Sequence, residues 1–160
     1  MKPLAMITAL AAVSLSAQKD IRQQFVGNWE LVSYERRAPS GEVLYPLGIN
    51  PVGRISYDAT GHMSAHLMRR DLPKFKGDDR TRSTAEEVVA AWHGYIGYFG
   101  TYTVDEKLGA VIHHVEGAWY PNYVGTKQVR FFHFEGRRLT LEADSPAGRA
   151  KIVWQRSAPG

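Results

Sequence analysis

The sequence predicts an all-β protein, an antiparallel up-and-down barrel of about eight to ten strands with one helix inserted near residues 84–95. Three observations carry that reading. From Asn28 onward, short segments alternate apolar and polar residues with the period of two that turns one face of a strand inward. Turn-forming clusters separate them at short intervals: Pro39-Ser40-Gly41, Asp58-Ala59-Thr60-Gly61, Lys107-Leu108-Gly109, Glu135-Gly136 and Ser145-Pro146-Ala147-Gly148. Within the strand region, the stretch from Thr84 to about Tyr95 departs from alternation and has a helical pattern.

Taken in order, residues 1–17 read as an export signal. Lys2 supplies a minimal positive start, Leu4–Val13 is an apolar run broken only by Thr8, and Ser14-Leu15-Ser16-Ala17 offers small residues for cleavage near Ala17-Gln18. The run is too short to span a bilayer, and no cysteine lies near the cut to carry a lipid anchor. The competing reading is an N-terminal helix of a cytosolic protein. Cleavage leaves residues 18–160 as one barrel domain, periplasmic or secreted. Lys19–Val26 is expected to form a short helix leading into the barrel. The expected strands are Trp29–Arg36, Glu42–Tyr45, Gly53–Tyr57, Met63–Arg69, Tyr98–Val104, Ala110–Glu116, Lys127–Phe134, Arg138–Ala143 and Lys151–Arg156. Tight turns make neighbours antiparallel, and closure removes exposed edges. A charged loop, Leu72–Arg82, leads to the helix, which a capping box of Ser83 with Glu86 would open. Its apolar stripe, Val88, Val89, Trp92 and Tyr95, is expected to bury against the barrel wall or an open end.

A chain of 160 residues suits one domain with one core. Apolar content of 44% with 22% charged residues excludes a disordered chain. The formal charge of +4 is mild, and its arginine pairs (Arg36-Arg37, Arg69-Arg70, Arg137-Arg138) are scattered over strand ends and turns. No continuous basic face results, so nucleic acid is not an expected partner. Without cysteine, no disulfide holds the fold, and stability must come from the core. No H-E-x-x-H, Walker or G-x-S-x-G motif occurs. His62 and His66 share a strand face about 13 Å apart, too far to chelate one metal. The sequence therefore implies no metal and no other cofactor.

Several stretches resemble the lipocalin-like domain family of bacteria and fungi: Gly27-Asn28-Trp29-Glu30-Leu31-Val32-Ser33-Tyr34, Tyr45-Pro46-Leu47-Gly48, Pro51-Val52-Gly53 and Gly61-His62-Met63-Ser64-Ala65. Further along they are Leu67-Met68-Arg69-Arg70-Asp71, Gly94-Tyr95-Ile96-Gly97-Tyr98-Phe99-Gly100-Thr101-Tyr102, His113-His114-Val115-Glu116-Gly117, Pro121-Asn122-Tyr123-Val124-Gly125 and Arg138-Leu139-Thr140-Leu141. The resemblance covers nearly everything after the signal and implies a lipocalin-type barrel with an internal cavity. Gly27-x-Trp29 also echoes the G-x-W opening of true lipocalins, where a tryptophan plugs the closed end under a basic residue of the last strand. Arg156 is placed to be that residue through a cation–π contact.

Alternation assigns the interior. The inward sets are Trp29/Leu31/Ser33, Ile55/Tyr57, Met63/Ala65/Leu67, Tyr98/Tyr102/Val104, Val111/His113/Val115, Gln128/Arg130/Phe132/Phe134, Leu139/Leu141 and Ile152/Trp154. A bulge near Gly117 would instead bring His114 and Glu116 inside. Trp119, Tyr120 and Tyr123, around Pro121-Asn122, would form an aromatic rim at the mouth. The candidate ligand-binding residues are thus Tyr57, Tyr98, Tyr102, His113, Trp119, Tyr123, Gln128 and Arg130. Each has a plain alternative: a core histidine satisfied by a tyrosine, a snorkelling arginine, or wall and rim aromatics. Buried among aromatics, Arg130 would need an acidic ligand group, ordered water, or a carboxylate from Glu35 or a bulged Glu116.

Three functions follow. The first is an exported protein that holds a small hydrophobic molecule in its barrel, an acidic one where it is the partner of Arg130. The second is a cofactor-free isomerase, cyclase or hydrolase in the same cavity. There His113, or His114 with Glu116, would be the base, and Tyr102 and Arg130 would stabilise negative charge. The third is a solidly packed barrel acting through its surface.

Overall fold

Successive strands pair antiparallel in chain order, and the last returns to the first to close the barrel. A computed structural model describes residues 20–158; the expected signal at residues 1–17 lies outside the described residues. The strands are β1 (Gly27–Arg37), β2 (Val43–Leu44), β3 (Val52–Tyr57), β4 (His62–Met68), β5 (Tyr95–Asp105), β6 (Ala110–Ala118), β7 (Lys127–Glu135), β8 (Arg138–Ser145) and β9 (Gly148–Arg156). β2 is a two-residue stub on the Arg36–Arg37 end of β1. The other eight form the closed antiparallel barrel, with β1 pairing β9 from Trp29↔Arg156 to Arg37↔Arg149. The inserted helix and the short N-terminal helix are both present, as α2 (Ala85–His93) and α1 (Ile21–Phe25). No helix among the described residues is long and apolar enough to cross a membrane.

α1 plugs one end of the barrel. Asp20 caps it by accepting from the Arg22 amide, and its last residue, Phe25, is fully buried. Phe25 meets Tyr57, Phe132 and Phe134 edge to face, with centroids 5.3, 5.1 and 4.9 Å apart. Phe132 and Phe134 thus pack inside as the alternation of β7 predicts. Above this plug, Ile55, Met63, Leu139, Leu141 and Trp154 form the buried core.

Two bulges correct the simple alternation. The β1–β9 register shifts between Leu31 and Ser33. Val32 is exposed and Tyr34 is buried, so Tyr34 and Arg36 replace Ser33 on the inner face. The second bulge falls at Glu116: Phe99 opposes Gly117, while Gly100 opposes Val115. It lies after His113 along β6, so His113 stays inside. Gly100 permits the approach, since a Cβ there would sit 1.9 Å from the His114 carbonyl oxygen.

The helix region also differs in detail. The capping box is formed by Thr84 with Glu87, not Ser83 with Glu86; Ser83 instead donates to the Arg80 carbonyl. Gly94 ends α2, and Tyr95 pairs with Met68 as the first residue of β5. Val88 and Val89 are exposed, so the expected burial of the stripe is not met. Trp92 packs on aromatics, 5.7 Å from Trp119 and 6.5 Å from Tyr120, and Tyr95 stacks on His66 at 6.2 Å.

Candidate functional site

The inner faces fill the α1 end and leave the other end hollow. There the barrel holds a cavity of about 160 Å³, comparable to an engineered apolar cavity of about 150 Å³ that admits benzene. Ile55, Ala65, Leu67, Leu141 and Trp154 supply an apolar lining. Its polar groups come from four strands and the turn after β6: Tyr34 and Arg36 of β1, Tyr98 of β5, Gln128 and Arg130 of β7, Asp144 and Ser145 of β8, and Tyr123.

The run of β7 explains the contrast between the two ends. Gln128, Arg130, Phe132 and Phe134 share the inward face, with Gln128 opposite His113 and Arg130 opposite Val111. The phenylalanines meet the plug, and the two polar residues reach the hollow. Arg130 donates from Nη2 to Gln128 Oε1 at 3.2 Å and from Nη1 to the Val129 carbonyl at 3.0 Å. Gln128 in turn donates to Thr126 Oγ1 at 2.9 Å. Arg36 donates to the Tyr34 hydroxyl at 2.8 Å, and its Nε is buried without a partner among the described residues.

Neither arginine takes part in an ion pair among the described residues. The bulge in β1 places Glu35 outside, opposite Lys151, and Glu116 is exposed. Neither of the two carboxylates considered for Arg130 therefore faces it. Asp144 lies at the rim and is engaged by Arg149, at 3.4 Å.

His113 is completely buried, but it stands behind the cavity wall rather than on it. Its Nε2 lies 2.8 Å from the Tyr57 hydroxyl and its Nδ1 lies 2.9 Å from that of Tyr98. Burial, with the nearby Arg130 and His114 charges, holds its pKa well below the ordinary histidine value and keeps the ring neutral. Burial likewise raises the pKa of Tyr57 and of Tyr98, so both hydroxyls stay protonated at neutral pH. The Arg130 guanidinium beside Tyr98 offsets part of that rise.

The structure thus divides the residues singled out in the sequence. Tyr98, Tyr123, Gln128 and Arg130 come together on the cavity wall. Tyr57 and His113 form a buried chain behind Tyr98. Tyr102 belongs to the plugged end: its hydroxyl donates to the Asp58 carbonyl at 2.8 Å, and its ring lies under Arg22. Trp119 sits at the mouth, 5.6 Å from Tyr123, whose ring is 6.3 Å from Tyr98. His114 faces outward and meets Thr103 Oγ1 at 2.9 Å, so the paired His114 and Glu116 are not inside the barrel. His113, with both nitrogens occupied by tyrosines, and Tyr102, at the far end, are not arranged as a base and an oxyanion donor around the cavity. Sequence reading missed Tyr34 and Arg36, because the bulge at Val32 reverses the parity that Trp29 and Leu31 establish. It carries no glycine or proline to announce itself.

A family model for the lipocalin-like domain matches residues 26–157. A protein of Aspergillus oryzae (strain ATCC 42149 / RIB 40), named 4'-hydroxy-3'-methoxypropiophenone carrier protein ppsC, is 37% identical over an alignment covering 59% of this chain and 96% of that one. Among solved structures, a redesigned beta barrel aligns with a TM-score of 0.44 at 10% identity, covering 86% of this chain and 95% of its own. A mutant of the fluorescent protein UnaG aligns with a TM-score of 0.40 at 11% identity, covering 84% and 97% respectively.

Proposed function

Because this chain belongs to the lipocalin-like domain family, we propose that it is an exported carrier that holds a small, ring-sized hydrophobic molecule bearing an acidic or other electron-rich oxygen. One observation carries the reading: Arg36 and Arg130 line a cavity with an apolar wall, and among the described residues neither is paired with a carboxylate. A part-buried guanidinium without an anion is costly, and a ligand oxygen at that place offsets the cost. The cavity volume suits one aromatic ring with short substituents. The Aspergillus relative is named for carrying a phenolic aryl ketone, a compound of that size and polarity. The enzymatic alternative has less support, since its candidate base is enclosed between two tyrosines.

Titration of wild-type protein with a panel of aromatic and fatty acids, followed by the fluorescence of its tryptophans, tests the proposal. Trp154 lies in the cavity wall and reports on occupancy. Saturable binding of single-ring acids, weakened in Arg130→Met, is expected. A flat response to every compound would sink the carrier reading in favour of a barrel acting through its surface.

A further inference from the structure

We propose that the polar end of the cavity offers hydrogen-bond donors, and that His113 is the positioning residue that turns the Tyr98 hydroxyl into one of them, so the site selects ligands presenting a carbonyl, carboxylate or phenolate oxygen. This rests on the carrier reading and narrows its ligand class.

The argument starts from the buried chain Tyr98–His113–Tyr57. Neutral imidazole has one nitrogen that donates and one that accepts. Tyr57 decides which is which. It is 2% exposed, packed between the rings of Phe25 and Tyr102, and its hydroxyl has His113 Nε2 as its one hydrogen-bond partner among the described residues. If Nε2 carried the proton, the Tyr57 hydrogen would be left buried without an acceptor, a state that folded proteins rarely tolerate. Tyr57 therefore donates to Nε2, and the proton of His113 resides on Nδ1. Nδ1–H donates to the Tyr98 oxygen at 2.9 Å. The Tyr98 hydrogen is then free, and Tyr98, unlike Tyr57, stands on the cavity wall.

The surroundings of Tyr98 reinforce that direction. The Arg130 guanidinium beside it has only donors and cannot take the hydrogen. Across the cavity, Tyr34 repeats the arrangement: its oxygen accepts from Arg36, leaving its own hydrogen uncommitted among the described residues. Two of the acceptors nearby are engaged by arginines, Gln128 Oε1 by Arg130 and the Asp144 carboxylate by Arg149. A ligand that brings acceptors satisfies this surplus of donors; a pure hydrocarbon leaves it unsatisfied.

Two measurements test the inference. In ¹⁵N-labelled wild-type protein, the NMR signals of the His113 ring should place its proton on Nδ1. Acetophenone, benzoate and ethylbenzene, three probes of similar size, are then compared by calorimetry or tryptophan fluorescence. The two oxygen-bearing probes should bind at least about tenfold more tightly than ethylbenzene, the scale of one or two buried hydrogen bonds. Tyr98→Phe should remove most of the acetophenone advantage and leave ethylbenzene unchanged. Tyr57→Phe, remote from the ligand, should shift the His113 tautomer and weaken acetophenone several-fold. A proton on Nε2 in the wild type would overturn the inference and leave the carrier reading intact; equal affinity for all three probes would overturn the inference and take the oxygen out of the proposed ligand, leaving a carrier of hydrophobic molecules. Failure of every probe to bind would overturn both.

Discussion

Arg156 sits over the indole of Trp29, its guanidinium carbon 4.1 Å from the ring centroid, while its Nη1 and Nη2 donate to the carbonyls of Val26 and Gln24. Trp29 in turn donates from Nε1 to the Phe25 carbonyl at 2.8 Å. The first strand, the last strand and the plug helix are therefore joined at one point. That point is where the barrel closes, so its loss opens both the β1–β9 seam and the plugged end.

Trp29→Ala should cost roughly 3–5 kcal/mol, the range for truncating a fully buried large aromatic. Arg156→Met removes the cation–π contact and leaves two backbone carbonyls without their donor, for an expected loss of about 1–3 kcal/mol. Urea denaturation of both variants measures the two costs. A loss under about 1 kcal/mol for Trp29→Ala would mean that the end of the barrel does not depend on this residue.

The closed end was legible because it is built from local rules. Alternation placed Trp29, Phe132, Phe134 and Leu139 inside, and the turn clusters marked five of the connections between consecutive strands. The hollow end was legible only in part. Gln128 and Arg130 were found because β7 alternates without interruption from the mouth to Phe134. Tyr34 and Arg36 were not, since one extra residue in β1 inverts every side chain beyond it. His113 was correctly placed inside, but its distance from the cavity depends on how Tyr57 and Tyr98 meet across the barrel from β3 and β5. Period-two patterning says nothing of such contacts between strands far apart in the chain.

His113 should also make stability depend on pH. Its native pKa lies well below the ordinary value, chiefly through burial, whereas the unfolded chain takes up a proton near pH 6.5. Below that pH the unfolded state binds the extra proton, so stability falls as pH falls, by up to about 1.4 kcal/mol per unit, until the native pKa is reached. Above about pH 7 this contribution is complete and flat. Denaturation curves of wild type and His113→Gln at pH 7.5, 6.5 and 5.5 isolate the effect by difference. An identical slope in both proteins would show that His113 is not the group responsible.

Export is a separate expectation, resting on Leu4–Val13 followed by Ser16-Ala17. Protein purified from its native host should begin near Gln18 by N-terminal sequencing. Intact protein starting at Met1 in the cytosol would end the proposal of export without touching the barrel or its cavity.

Arg130 and His113 should separate into different kinds of residue when each is replaced. Arg130 lines the cavity, its charge has no carboxylate partner among the described residues, and its contacts are Gln128 Oε1 and a neighbouring carbonyl. Arg130→Met should lower the affinity for benzoate about 10- to 100-fold, the worth of one charge-assisted hydrogen bond. It should leave stability unchanged or slightly raised, because an unpaired cation is replaced by an apolar chain of similar length. His113→Phe has the opposite signature. It strips the Tyr57 hydroxyl of its acceptor and the Tyr98 oxygen of its donor, both inside the barrel. The expected stability loss is about 1–3 kcal/mol, with a smaller fall in benzoate affinity than Arg130→Met produces. Measuring both variants by denaturation and by benzoate titration gives four numbers. Equal benzoate affinity in wild type and Arg130→Met would remove the cation from the binding site, and an undiminished stability in His113→Phe would remove the buried chain from the core.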